Sequence, residues 1–291
     1  ALLNSQPMGF YQPAQLVQDA RRHGVKVLPV DVRYSNWDCT LENPKPAALR
    51  LGLRQIKGMR EDSARRIEQA RSEQAFTSVQ DLGSRSRLDR HDLAVLADAA
   101  ALRGLAGHRH RARWEIAAVE SPVTRGQSKG PDQIDLALYS CPTRDSSTIR
   151  PPSQEDDTRA DYASTGRTLG KHPLALLRPG LRRRRAITAG ELHGLQHGSR
   201  VRACGLVTMR QRPMTASGTL FLTLEDETGF VNTVIWPRLF EKQRAEILGA
   251  SLLAVDGVME TDGDVHHLIA DRVHDFSHLA RGLSGKSRDF C

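Results

Sequence analysis

LRLGLRQIKGMREDSARRIEQAR, residues 49–71, reads as a helix, a tight turn on Gly58 and a second helix. Ile56, Gly58, Ala64 and Ile67 take the apolar and glycine positions of a helix-hairpin-helix, and Lys57, Arg60, Arg65 and Arg66 crowd the turn. In such a hairpin the backbone N–H groups and the N-terminus of the following helix meet a nucleic-acid phosphate without reading bases. Arg60 stands where a second hairpin glycine is usual, which trades close backbone approach for a charge. Lys57, Gly58, Arg60 and Arg65 are therefore the candidate duplex contacts, with a plain helical hairpin as the competing reading. A second, degenerate copy over 76–103 lacks the paired glycines and reads as structural.

Working outward, Pro13 opens a helix to His23, Gly24 stands where a C-cap glycine would, and 25–32 reads as a strand. The helical pattern holds from Ala47 to about Glu120. Residues 121–152 concentrate Pro, Gly, Ser and Thr, the composition of a linker. Ser153 followed by Asp156 predicts an N-cap and a short helix to Ala163. Beyond the run Arg182–Arg185, strand-like segments fall at 200–211, 219–225, 230–236, 251–258 and 265–270, with a helix at about 238–248. Five strands with a helix between the third and fourth predict an OB-fold barrel. The fold class is thus multi-domain α+β: a helical helix-hairpin-helix module followed by a five-stranded OB-fold β-barrel. Its expected parts are 1–46, 47–120 (tandem hairpins), 121–197 (linker with short helices), 198–276 (OB fold) and 277–291 (tail).

Period-two alternation places Arg200, Arg202, Arg210 and Arg212 on the outer side of the first barrel strand. It turns Phe221, Asn232 and Trp236 outward on the next two, where OB folds stack single-stranded bases on aromatics. A protein-docking surface is the alternative for this face. Near it, the acidic loop Glu225–Glu227 opposes a polyanion.

The 291 residues exceed one ordinary domain, and a net charge of +8 makes polyanionic partners plausible. That charge is uneven: +5 over 1–120, +4 over 121–197 and −1 over 198–291. Aromatics reach only 5%, so any stacking surface rests on few residues. Four cysteines with no C-x-x-C pair argue against a disulfide framework or a cysteine zinc site and fit a reduced, cytoplasmic chain. No apolar run approaches a membrane span, and the apolar start at Ala1–Leu3 reads as cut from a longer polypeptide. GLSGKS (282–287) lacks the first glycine of a P-loop, and HGLQH (193–197) has Gly194 where a zinc protease needs Glu. The acidic trio Glu155–Asp157 fits a helix's first turn better than a metal site.

Several segments together resemble one family. LLNSQPMGFY, LVQDARRHGV and PVDV within 2–32, SNWDCTLE (35–42), LRLGLRQIKG (49–58), ADYASTGRTLGKHPLALLRP (160–179) and LTLEDETGFVNTVIWP (222–237) look like the C-terminal part of bacterial error-prone DNA polymerases. These belong to the DNA polymerase III alpha-subunit class, the C-family. The resemblance implies a DNA-directed DNA polymerase acting in damage tolerance, translesion synthesis and induced mutagenesis, with DNA as primer-template and single-stranded template. It also implies two Mg²⁺ ions about 3.5–4 Å apart on palm aspartates. The family's palm lies upstream of the matching segment, so this chain alone is expected to be non-catalytic and to hold no cofactor. QIDLALY (133–139) resembles the peptide that bacterial polymerases insert into the sliding clamp, with Gln133 at the pocket rim and Leu136, Leu138 and Tyr139 filling it. Tyr139 replaces the expected Phe, and a stretch packed on its own domain is the other reading. Mutasome accessory proteins are further implied partners. A freestanding accessory DNA-binding protein and an OB-based interaction module remain the rival readings.

Overall fold

The computed structural model describes residues 2–6, 13–42, 47–117, 149–213, 217–263 and 265–280, and the backbone of 288–290. The chain divides into two compact units, Ala1–Leu169 and Gly170–Cys291. That division falls inside the stretch 121–197 expected to be a linker.

In the first unit α1 (Pro13–Arg22) ends at Gly24, whose φ of +78° is the left-handed conformation glycine tolerates. β1 (Lys26–Leu28), β2 (Thr40–Glu42) and β3 (Ala48–Arg50) form a small sheet in the order β1-β3-β2. Strand β3 corrects the expectation that the helical pattern starts at Ala47. The chain then makes a short 3-10 turn, Leu53–Gln55, so the hairpin's first helix is a single turn. Gly52 makes that turn possible: a Cβ there would lie 2.3 Å from the Trp37 carbonyl oxygen.

Helices α2 (Glu61–Glu73), α3 (Val79–Arg85), α4 (Arg90–Asp98), α5 (Arg103–Ala106) and α6 (Arg109–Ala117) complete the tandem repeat. Leu53, Ile67, Leu82, Leu93, Leu96 and Leu102 form its fully buried centre. Helix α7 (Gln154–Thr165) starts with the expected capping box of Ser153 and Asp156. It belongs to this unit, because the buried Arg109 pairs with Asp157 and Asp161 of α7 and donates to the Asp98 carbonyl at 2.9 Å. A polar stretch in the sequence thus returns to the helical core, with Arg109 as one of its anchors.

The second unit opens with α8 (Pro173–Arg183), β4 (Ala186–Ile187) and α9 (Ala189–His193). Strands β5 (Arg200–Gln211), β6 (Leu220–Glu225), β7 (Phe230–Ile235), β8 (Leu252–Asp262) and β9 (Val265–Asp275) come next. Helices α10 (Pro237–Lys242) and α11 (Arg244–Gly249) stand between β7 and β8, and β10 (Arg288–Phe290) joins β5. The sheet runs β5-β6-β7-β9-β8 and closes through β8 onto β5, with the parallel pair β7–β9. This closed five-stranded barrel has the OB-fold order. Leu222, Leu224, Val231 and Ile235 fill it as alternation predicts.

Helix α8 covers part of the barrel wall, packing Leu174 and Leu181 on Cys204, Leu206, Leu252 and Ala254. Its Arg178, 8% exposed, forks onto Glu227 at 2.5 and 2.7 Å and reaches Asp226 at 3.1 Å. Asp226 also accepts the backbone N–H groups of Thr228, Gly229 and Ala189. Arg178 thus offsets one of the loop's negative charges and holds Asp226 and Glu227 against α8. Cys39 and Cys204 are buried free thiols, and burial pushes the Cys204 thiol up to about 12.

Removing one partner of a buried ion pair leaves the others desolvated and unpaired. Arg178→Met should therefore cost the second unit about 3–5 kcal/mol, read as a lowered midpoint in chemical denaturation. An unchanged midpoint would show that the loop carboxylates find other partners.

Candidate nucleic-acid interface

The hairpin turn of the first unit is built on Gly58, whose φ is +82°. Met59 comes next and is buried, and Arg60 is the N-cap of α2. The degenerate copy repeats this order: Arg87 at φ +49°, buried Leu88, then Asp89 as the N-cap of α4. The two copies meet at these matching positions. Arg60 Nε donates to Asp92 at 3.0 Å, its fork also reaches Asp89, and Ser63 Oγ donates to Asp92 at 2.7 Å. Asp92 is fully buried. Hydrogen bonds donated to Asp92 and Asp89 hold the Arg60 guanidinium protonated beyond its ordinary range.

Arg60 thus braces the two hairpins while half of its side chain stays exposed. Lys57 is likewise engaged: its Nζ donates to the Tyr162 and Ala163 carbonyls at 3.1 Å, capping the C-terminus of α7. Arg65 is half exposed and pairs within its own helix with Glu61 and Glu68, a surface arrangement that a stronger anion can displace. The hairpin therefore presents backbone at Gly58 and the start of α2, with Arg65 beside it.

On the barrel, the expected row of four arginines is broken. Arg200 and Arg202 do face outward, but Cys204 and Leu206 continue that face under α8. A β-bulge between Val207 and Met209 then shifts the register. An extra residue in a strand inverts every later side chain, so Met209 aligns with outward Thr223 and Arg210 with inward Leu222. Arg210 is 3% exposed and its guanidinium donates to the Ile247 and Ala250 carbonyls that end α11. The outward placement of Arg210 is corrected accordingly.

Arg202 forks onto Asp256 of β8 at 2.5 and 2.8 Å, and His274 Nε2 lies 2.9 Å from the same carboxylate. Among the described residues Arg200 makes an exposed pair with Asp271. Arg212, just beyond the strand, lies 4.8 Å from the Phe240 ring centroid and donates to the Gly218 carbonyl.

Beyond the bulge the outward face is as expected. Phe221 pairs across to Gln211 and Val234, and Thr223 pairs to Asn232. Phe221 and Trp236 are exposed, and so is Asn232. This face, edged by Arg212, offers two aromatics and polar side chains for stacking. Met209 and Gln211 are members that parity counting misses; only the bulge brings them here. Residues 133–139, with Gln133, Leu136, Leu138 and Tyr139, lie outside the described residues, as do 282–287.

These features define a tandem helix-hairpin-helix protein with an OB-type barrel, and residues 24–112 match the helix-hairpin-helix motif family. All of the chain aligns at 53% identity with the error-prone DNA polymerase of Pseudomonas paraeruginosa, covering 28% of that protein. It aligns at 52% with that of Pseudomonas aeruginosa, covering 27%, and at 49% with that of Ralstonia nicotianae, covering 27%. The chain belongs to the error-prone DNA polymerase family, of which it spans little more than a quarter of a member's length. Among solved structures, asparaginyl-tRNA synthetase from Pyrococcus horikoshii aligns at 19% identity and a TM-score of 0.27, over 35% of this chain and 24% of that one.

The bidentate Arg202, helped by His274, holds the Asp256 carboxyl down to about 2. A carboxyl depressed in the fold adds stability above its unfolded value of about 4, and loses it as pH falls through the folded value. The barrel should therefore lose this contribution between about pH 4 and pH 2. Asp256→Asn should be less stable at pH 7 and show a flatter acid limb in thermal melts; an unchanged acid limb would count against the pairing. In the hairpin, Gly58→Ala places a Cβ at positive φ without a clash and should cost about 1–2 kcal/mol by chemical denaturation.

Proposed function

We propose that this chain is the DNA-holding segment of an error-prone, DNA-directed DNA polymerase that serves damage tolerance, translesion synthesis and damage-induced mutagenesis. The observation that carries the reading is identity near one half along the whole chain with proteins of that name. The first unit grips duplex primer-template through backbone N–H groups around Gly58 and the start of α2, with Arg65 adding charge. In the second, Phe221 and Asn232, edged by Arg212, hold the single-stranded template, and Arg200 touches its backbone. Lys57, Arg60 and Arg202 act through the elements they hold in place.

Two-metal nucleotidyl transfer needs convergent carboxylates. Among the described residues no group of three or more His, Cys, Asp and Glu could hold a metal ion, so these residues do not fit a Mg²⁺ centre. We assign catalysis and Mg²⁺ to the rest of the polymerase and treat this chain alone as non-catalytic. The sliding clamp, engaged by Gln133–Tyr139, and mutasome proteins are proposed partners, and the cytoplasm the proposed site of action. No helix among the described residues is long and apolar enough to cross a membrane.

Phosphate contacts of this kind make affinity fall with salt, the slope of log K against log salt being about −0.9 per contact on duplex DNA. Fluorescence anisotropy on primer-template should give a slope of about −2 to −3, from Arg65, Arg200 and Arg212, with little sequence preference. Phe221→Ala should weaken single-strand binding about tenfold, in line with roughly 1–3 kcal/mol per stacked base, and leave duplex affinity alone. A salt-independent isotherm would sink the proposal, and nucleotide incorporation by this chain with Mg²⁺ would overturn its non-catalytic part.

A further inference from the structure

Arg167, in the first unit, is a buried cation with no counter-charge among the described residues. It is 6% exposed, one η nitrogen donates to Gln55 Oε1 at 2.6 Å, and Nε has no hydrogen-bond partner. Among the described residues no carboxylate pairs with it, and burial lowers its guanidinium to about 10. An isolated buried charge is costly unless something compensates it. The other buried arginines are compensated: Arg50 by Glu42, Arg109 by Asp157 and Asp161, Arg178 by Glu227, and Arg210 by two helix-end carbonyls.

Arg167 lines a cavity of about 500 Å³, in the size range of small-molecule sites. Trp37, Arg54, Gln55, Lys57 and Thr165 line it too, and no acidic side chain does among the described residues. Arg54 is partly satisfied by Asp38 at 2.6 Å, with its guanidinium 5.8 Å from the Trp37 ring centroid. Lys57 lends its charge while its ammonium caps α7. Three cations around one space suit a dianion, and a phosphomonoester carries close to two negative charges at neutral pH. Trp37 also borders the space, its ring sharing that wall with the Arg54 guanidinium.

We propose that this cavity binds a phosphomonoester of nucleotide size, its phosphate paired with Arg167 in the field of Arg54 and Lys57 and its base against Trp37. Two sources share that chemistry: a free deoxynucleoside 5′-monophosphate and the phosphorylated 5′ end of a DNA strand. The proposal stands on the first unit's geometry alone, independent of the polymerase reading.

The test titrates the full 291-residue chain with dAMP, inorganic phosphate and deoxyadenosine by calorimetry, and compares 5′-phosphorylated with 5′-hydroxyl oligonucleotides. Saturable dAMP binding is expected, at least tenfold tighter than deoxyadenosine, with Arg167→Met weakening it at least tenfold and Arg167→Lys restoring part. Arg167→Met should also match or exceed the unliganded parent in Tm, since it removes an unpaired buried charge, and lose the Tm rise that dAMP produces. An Arg167-dependent preference for 5′-phosphorylated oligonucleotides would identify the strand end as the source, and its absence alongside dAMP binding the free nucleotide. No saturation by dAMP or by the phosphorylated end, equal binding by Arg167→Met, or a lowered Tm in that variant would overturn the proposal. The salt slope on primer-template is read separately, so failure here and failure of the DNA-holding role are distinguishable.

Discussion

The carboxylate of Asp92 has no contact with water, and the tandem hairpins are arranged around it. A buried carboxylate needs several donors at once, and these come from equivalent positions of the other repeat: the N-cap Arg60 and, three residues on, Ser63. Because the two copies meet at the starts of their second helices, both hairpin turns are held by the same junction. The left-handed residues Gly58 and Arg87 then lie at matching places beside it. This junction accounts for the first repeat's missing second glycine: Arg60 replaces it because a cation is needed there.

The same rule, that a charge taken out of water must meet its opposite or convergent dipoles, organises the second unit. Arg178 draws the acidic turn Asp226–Glu227 against α8, and Asp226 in turn orders the turn's backbone and the start of α9. A loop that the charge count marks as repellent to DNA therefore has part of its negative charge offset inside the fold. Arg202 and Asp256 tie β5 to β8 across the closing seam of the barrel. The formal charge of +8 does not say which guanidinium groups face a polyanion, because many of them serve as internal braces.

Much of the architecture is legible in the sequence. Period-two patterns over 219–225 and 230–236 place Leu222, Leu224, Val231 and Ile235 inside and Phe221 and Asn232 outside, because strand alternation is local geometry. The hairpin on Gly58 and the cap at Ser153 are readable for the same reason: each depends on residues within four of one another. The partners of long cationic side chains are not. Lys57 reaches carbonyls more than a hundred residues away, and Arg109 meets α7 across 48 and 52 residues.

By itself, then, the sequence determined the order of elements, the hairpin turn, the barrel's inward and outward sets up to one defect, and the family. Only the tertiary structure decided which arginines remain available to a ligand. The bulge at Val207–Met209 reversed the parity of Arg210, and distant carboxylates claimed Arg60, Arg178 and Arg202, while Arg167 was left buried without one. The physical reason is that periodicity reports which way a side chain leaves its own backbone, whereas charge compensation depends on what the rest of the chain brings alongside.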